Sequence, residues 1–462
     1  MIQGLVLGIH IGFWSGDKRK MEIAESFALP PITMLRRAGR FSRMKGNFTP
    51  PTFDDTDEAL ELKWREWVQR ESYKRYVPPG ILTKVVNLIF DSLAAHLLIQ
   101  DAQTSMAQQV PPLLCASEMT LELPSSRKLW TARSACQWRD VYVQLDDSLQ
   151  EKSISIAQGV SQVSELRKYR SLDITLSATV IVHSVWGAVW NHLQLNSLVR
   201  GQSTYQNPSE NFMAPNPWDN SISQLLEQLR LIFSDWGAQF RPQMALVLER
   251  VVLSLHVSFE QVQLFAGKEG EEEARRVLPA LRQWVVTKDA RKAVWYAGQV
   301  LGAASRCSSK MIQDFNAVCV YHAGMTFWTY AVLLDASSHQ QRPHVDVQQV
   351  SGSNSAPEDS EIVWLDGPDC PAVQRFIAFN RGKPVIEGFN PQNHREAGEA
   401  IPLSNAKAVM DVCIELLQRR TGVEGDGTSM PLVENLSQLM RDLGKAAHEL
   451  MQGNGRRSKR LA

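Results

Sequence analysis

Four groups of residues have the types that chemistry uses, and their spacing decides what each can do. Asp54, Asp55, Asp57, Glu58 and Glu61 gather carboxylates along a short stretch. A calcium loop also needs a central glycine and a distal bidentate glutamate at fixed spacing, and both are missing. A helix N-terminus, whose partial positive charge favours carboxylates, fits the cluster better. Cys319 and His322 are three apart, so a helix would turn both toward one ligand. A closed zinc site needs two further ligands, and none is near in sequence. Val318, Val320, Tyr321, Phe327 and Trp328 favour a core reading for the pair. Gly267-Lys268-Glu269-Gly270 lacks the early glycine and the following Ser/Thr of a phosphate loop, and Glu271, Glu272 and Glu273 after it would repel a phosphate. The fourth group is basic. Arg456, Arg457, Lys459 and Arg460 suit a nuclear import signal or a phosphate contact, set against a merely solvated terminus. Arg36, Arg37, Arg40, Arg43 and Lys45 form a second basic cluster, expected to be a solvated helix face.

No nucleophile elbow, zinc-protease pair or dinucleotide fingerprint occurs. An all-α enzyme with a site assembled from distant residues would announce itself by a polar cleft with perturbed pKa values; an apolar pocket would favour effector binding. The chain has 462 residues with 49 basic and 49 acidic side chains, so its formal net charge is zero. A self-sufficient DNA-binding domain usually carries a basic excess, because phosphate neutralisation dominates its affinity. Any basic patch here must be local. The six cysteines, Cys115, Cys136, Cys307, Cys319, Cys370 and Cys413, are far apart and form no Cys-x-x-Cys pair, which points to an intracellular, reducing compartment. Ile2 to Trp14 and Thr175 to Trp190 are apolar but short for a bilayer span, and no membrane partner is expected.

The elements that would position such groups are helical. Ile222, Leu225, Leu226, Leu229 and Ile232 recur at three and four, with Ser221 and Gln224 set as a capping box. Ala290, Val294, Ala297 and Leu301 repeat the pattern behind a Thr287 cap. Gly298 and Gly302, four apart, permit close helix packing. Val409, Val412, Cys413, Leu416 and Leu417 form a stripe ended by Gly422, and Leu436, Leu439, Met440, Leu443, Ala447 and Leu450 form the last. Alternating strand patterns are scarce, so the fold class is all-α: a multi-helix bundle with two mobile polar loops. The organisation reads as an N-terminal helical part over 1–200, a linker over 201–220, a helical part over 221–336, a mobile linker over 337–361, a C-terminal helical part over 362–452 with a short irregular cap near its start, and a glycine-broken basic tail over 453–462.

Trp64-x-x-Trp67-x-x-x-Glu71-Ser72-x-x-Arg75 resembles the signature of the fungal-specific transcription factor regulatory domain, or middle homology region. Asp101 to Ala107, Pro111 to Leu114, Glu118 to Leu123 and Trp130 continue the likeness in order. Phe13 to Ala24, Met34 to Phe41, Phe265 to Gly270, Ala290 to Leu301 and the residues from Gly382 onward are similar to the subgroup with two-cysteine two-histidine zinc fingers upstream. The spacing puts Trp64, Trp67 and Glu71 on one helical face as structural anchors, with Arg75 in reach of Glu71 at i,i+4.

The resemblance implies a nuclear regulatory domain of a zinc-finger, DNA-binding transcription factor controlling RNA polymerase II transcription. It implies zinc and DNA contacts in an upstream module whose ligands are not in these residues. A small-molecule effector, a co-regulator or a second copy of the chain are the partner classes it allows. The rival reading is a fingerless interaction or dimerisation protein that modulates partners. Two departures from the family pattern stand out. The chain starts directly in the helical region, as if Met1 were an internal methionine. Glu71 and Asp101 are also thirty positions apart, with a surplus over Tyr76 to Ser92 that contains Pro78-Pro79-Gly80, as a retained intron or an insertion loop would produce.

Overall fold

A computed structural model describes residues 2–42, 48–72, 94–145, 154–203, 217–237, 242–340, 361–388, 399–419 and 430–460. The fold is all-α with one small sheet. Two compact units divide it, Met1–Met244 and Ala245–Ala462.

The first unit opens with α1 (Ile2–Phe13) and α2 (Lys18–Arg37). Asp17 caps α2 by accepting from the Lys20 N–H at 2.9 Å, which satisfies one of the orphan donors at that end. The two helices cross at Gly12, where a Cβ would stand 2.9 Å from Ala24 Cβ and 3.0 Å from the Lys20 carbonyl. Next come α3 (Asp57–Ser72), α4 (Ala94–Gln108), α5 (Arg127–Trp130), α6 (Ala135–Gln144), α7 (Ile156–Ser161), α8 (Ile174–Ser184), α9 (Trp186–Ser203) and α10 (Pro217–Asp235). The acidic cluster is indeed the start of a helix: Asp57 and Glu58 occupy the first turn of α3, while Asp55 just ahead of it accepts from Lys63 Nζ at 2.6 Å and from the Thr52 N–H at 2.7 Å. Helix α10 begins at Pro217, so Ser221 lies inside it rather than at its cap. Proline fits a first turn because its missing N–H would have no partner there anyway.

Helix α11 (Pro242–Leu253) spans the division. The second unit continues with α12 (Phe259–Phe265), α13 (Glu271–Val285), α14 (Lys288–Ser305), α15 (Asp314–Gln340), β1 (Ile362–Trp364), α16 (Pro371–Phe379), β2 (Lys383–Glu387), β3 (Ala400–Pro402), α17 (Ala406–Gln418) and α18 (Pro431–Arg460). Gly267 and Gly270, both at positive φ, make the polar connection between α12 and α13. Thr287 caps α14 as its position suggests, accepting from the Ala290 N–H at 3.2 Å. Helix α15 is apolar almost all round and is the core of the unit. Its Asp314–Ala336 stretch has the length and hydropathy of a bilayer span, which the shorter stretches considered above lack, yet it is almost wholly buried inside the protein.

Further findings depart from the sequence reading. The region after 361 holds an ordered three-stranded sheet rather than an irregular cap: β1 pairs parallel with β2 and β2 antiparallel with β3. Strands of three to five residues are too brief for alternation to stand out. Gly298 and Gly302 admit not a helix but the backbone that follows β1. A Cβ at Gly298 would overlap the Leu365 carbonyl, and one at Gly302 would lie 2.7 Å from the Asp366 oxygen. The buried side of α18 is Val433, Ser437, Met440, Leu443 and Ala447, leaving Leu439 and Leu450 exposed.

The expected linker over 201–220 is helical at 201–203 and from Pro217, and its middle lies outside the described residues. The same holds for 341–360 of the expected 337–361 linker, for Gly422 and for the Tyr76–Ser92 surplus. Helix α18 continues through Gly453 and Gly455 to Arg460, so the basic tail is helical in its backbone. Each glycine costs only about 1 kcal/mol in a helix, and basic residues in the last turn favour the C-terminal dipole.

Candidate functional site

Two of the signature residues, Glu71 and Asp101, converge on one connection, Gln109 to Ser126, between α4 and α5. This strap has little repeating structure of its own, so its backbone donors need partners from elsewhere. Carboxylates supply many of them. Asp101, on the last turns of α4, accepts from the Leu113 N–H at 3.0 Å and the Leu114 N–H at 2.8 Å. Glu118 accepts from the Cys115 N–H at 3.0 Å. Glu71, near the end of α3 and fully buried, accepts from the Ser125 N–H at 2.6 Å and the Ser125 hydroxyl at 2.7 Å. Backbone bonds complete the hold: the Leu121 N–H donates to the Phe41 carbonyl at 3.1 Å, and the Leu123 N–H to the Ile154 carbonyl at 2.8 Å.

Arg36 closes the arrangement from α2. Its Nε and Nη2 donate to the two Glu118 oxygens at 2.8 and 2.9 Å, and Nη2 also reaches the Leu113 carbonyl at 3.0 Å. This fork-to-fork geometry makes Arg36 a clamp on the strap, a correction to the solvated face expected of its cluster. Arg43 and Lys45 of that cluster lie outside the described residues. The environments split the carboxyls. The Arg36 guanidinium holds Glu118 below the ordinary carboxylate range, whereas burial pushes Asp101 up to about 6, against its two backbone bonds.

Trp64 and Trp67 do what their spacing suggests. Trp67 is buried in a cluster with Leu60, Leu129, Trp138 and Tyr142, against which Trp64 and Trp130 pack. The Trp67 and Trp138 rings are 5.7 Å apart and tilted. Arg75, expected to pair with Glu71, lies outside the described residues. The Ser125 contact of Glu71 spans 54 positions and could not be read from helical spacing.

A second polar group sits inside the other unit. Cys319 and His322 are both core residues, as their neighbours suggest. The residue that sequence reading missed is Arg250, which is fully buried on α11. Its Nε donates to His322 Nδ1 at 2.9 Å, its Nη1 donates to the Ser254 hydroxyl, and its guanidinium lies 3.9 Å from the centre of the Phe259 ring. Burial brings the Arg250 pKa down to about 10 and the Cys319 thiol up to about 12. Burial, then Arg250 and Lys268, hold His322 well below its ordinary value. The available signal was an arginine, next to Glu249, within the otherwise apolar run Met244 to Leu253. Among the described residues, no three His, Cys, Asp or Glu side chains gather for a metal ion, so these residues do not fit a zinc site.

The side chains of Arg456, Arg457, Lys459 and Arg460 lie outside what the structure describes. Taken together, the carboxylates that grip the strap serve backbone donors, and the arrangement suits positioning a segment more than bond-breaking.

The chain is similar to fungal proteins named as transcription factors. It is 20% identical to a transcription factor of Zymoseptoria tritici along 87% of its length. It is 21% identical to transcription factor 1 of Elsinoe fawcettii along 90% of its length. Over a shorter stretch, 30% of the chain, it is 30% identical to transcription factor PfmaH of Pestalotiopsis fici. The chain spans 41% of the length of each of the first two relatives and 12% of the third. No family model matches the chain. No solved structure matches it.

Proposed function

We propose that this chain is the helical regulatory part of a fungal transcription factor and has no catalytic role. The reading is carried by the likeness to two fungal transcription factors along most of the chain. The strap geometry supports it: Glu71 and Asp101, two of the signature residues, hold one connection in place, as a domain that changes or transmits shape requires. DNA binding and its zinc are assigned to a finger module in a longer protein, and the site of action is RNA polymerase II transcription in the nucleus. A small-molecule effector, a co-regulator or a homodimer would bias the helical part. The basic run Arg456, Arg457, Lys459 and Arg460 is proposed as a nuclear import signal.

The test is a fusion of the full chain to an unrelated DNA-binding domain, read on a reporter carrying that domain's site. The expected result is a change in transcription, up or down, that the DNA-binding domain alone does not give. Reporter output identical with and without the chain, at equal protein level, would reject the regulatory role. Replacing the four basic tail residues by alanine in a fluorescent fusion should lower nuclear accumulation.

A further inference from the structure

The outer face of α2 carries an apolar stripe that its own unit leaves uncovered. The helix buries Ala24, Pro31, Ile32 and Leu35. Ile23 and Phe27 are each 51% exposed and Met34 is 44% exposed, with Pro30 exposed between them. Residues 23, 27, 30 and 34 follow the spacing of one helical face, turned about a quarter of the helix circumference or more away from the buried side. The stripe spans about 16 Å of helix axis at 1.5 Å per residue. Single exposed apolar residues need no explanation, but four in register are a docking pattern.

Charge says what would dock. Arg19 and Lys20 lie at one end of the stripe and Arg37 at the other, all exposed and in no ion pair among the described residues. The acidic residues of α2 fall on another side and are engaged there: Glu22 pairs with Lys18 at 3.9 Å, and Glu25 accepts from Gln108. Arg36 is held by Glu118. The stripe is therefore apolar in its middle and basic at both ends. A second copy docking through the same stripe would bring basic ends together, whether the helices ran parallel or antiparallel, and like charges across an interface are costly. A partner with acidic ends has no such cost.

We infer that the α2 stripe, Ile23, Phe27, Pro30 and Met34 between Arg19/Lys20 and Arg37, docks an acidic amphipathic helix of another protein. A helix matches the spacing because its ridges seat between residues three and four apart. The inference stands on exposure and charge and does not depend on the regulatory reading.

The test uses the isotope-labelled full chain and two synthetic helical peptides. Both carry Leu and Phe at i, i+4, i+7 and i+11, one with glutamates at the flanks and one with lysines. The glutamate peptide should bind saturably, shift the α2 resonances, and bind at least about tenfold more tightly than the lysine peptide at low salt, with the gap closing as salt rises. Phe27→Asp should abolish binding. The triple change Arg19→Glu, Lys20→Glu, Arg37→Glu touches only exposed side chains, and it should reverse the preference between the peptides. Thermal melting of each variant checks that it is folded. The inference is overturned by no saturable binding below about 1 mM or by equal binding of both peptides. It is equally overturned by a dimer that Phe27→Asp dissolves, or by vesicles of anionic lipid engaging the stripe while the glutamate peptide does not.

Discussion

The aromatic cluster around Trp67 and the close backbone approach at Gly298 solve the packing problem in opposite ways. In the first unit, large rings fill the space between α3, α5 and α6: Trp67, Trp130, Trp138 and Tyr142 meet at tilted angles. In the second, α14 presents Ala290, Ala293, Ala297, Gly298, Gly302 and Ala303, all buried, so that backbone approaches backbone. One region is sensitive to volume removed and the other to volume added. A uniform rule that smaller side chains destabilise a core fails for this molecule.

The largest effect should come from emptying the first region. Trp67→Ala removes an indole from a cluster with few small neighbours able to move in, and should cost about 3–5 kcal/mol. Chemical denaturation read by hydrogen exchange, resolved to each unit, would measure it, because two units need not unfold together. The loss should be confined to amides of the first unit. A loss of under about 0.5 kcal/mol, the scale of a surface substitution, would remove Trp67 from its anchoring role.

Adding one methyl to the second region should do damage of the next rank. Gly298→Ala places a Cβ on the Leu365 carbonyl, so either α14 or the turn after β1 must shift, at a cost of about 1–3 kcal/mol. The Gln299 amide, which donates to the Leu365 and Gly367 carbonyls at 2.8 Å each, sits on the same approach and should lose both bonds together. Amide protection of residues 363–367 checks this. Unchanged protection would mean that the turn has room to give, and the contrast between the two regions would collapse.

What the sequence disclosed follows the range of the interactions. Thr287 capping α14, the stripe Val409 to Leu417 on α17, and the core placement of Cys319 and His322 are set by neighbours a turn or two away. The indole anchors were legible for the same reason. The roles of Glu71 and Asp101 were only half legible, because helical spacing shows which face a carboxylate occupies but not the strap it grips from 54 or 12 positions away. Arg36 illustrates the limit best. Among four other basic residues it looks like solvated charge, and only the fold brings Glu118, 82 positions on, into bidentate reach. The three short strands stayed hidden because pairing between segments, not their own pattern, makes them strands.

A third effect separates the polar hold of the strap from both packing schemes, and it is a slope with pH. Burial raises Asp101 to about 6 in the folded protein, above the ordinary 3.8 of an unfolded aspartate. The folded state therefore keeps its proton where the unfolded chain has released it. The favourable contribution is complete below about pH 3.8 and is lost as pH rises through about 6. Asp101→Asn cannot ionise, so between those pH values its stability should fall less with rising pH than that of the parent. The asparagine has one acceptor oxygen for two N–H donors at Leu113 and Leu114, so an offset common to all pH values is expected as well. Denaturant midpoints of the first unit at several pH values separate the two effects: the offset reports the lost bond, and the change in slope reports the buried charge. Parallel curves for the two proteins would mean that Asp101 titrates as an ordinary surface aspartate, and that bonding to the strap outweighs burial at this carboxyl.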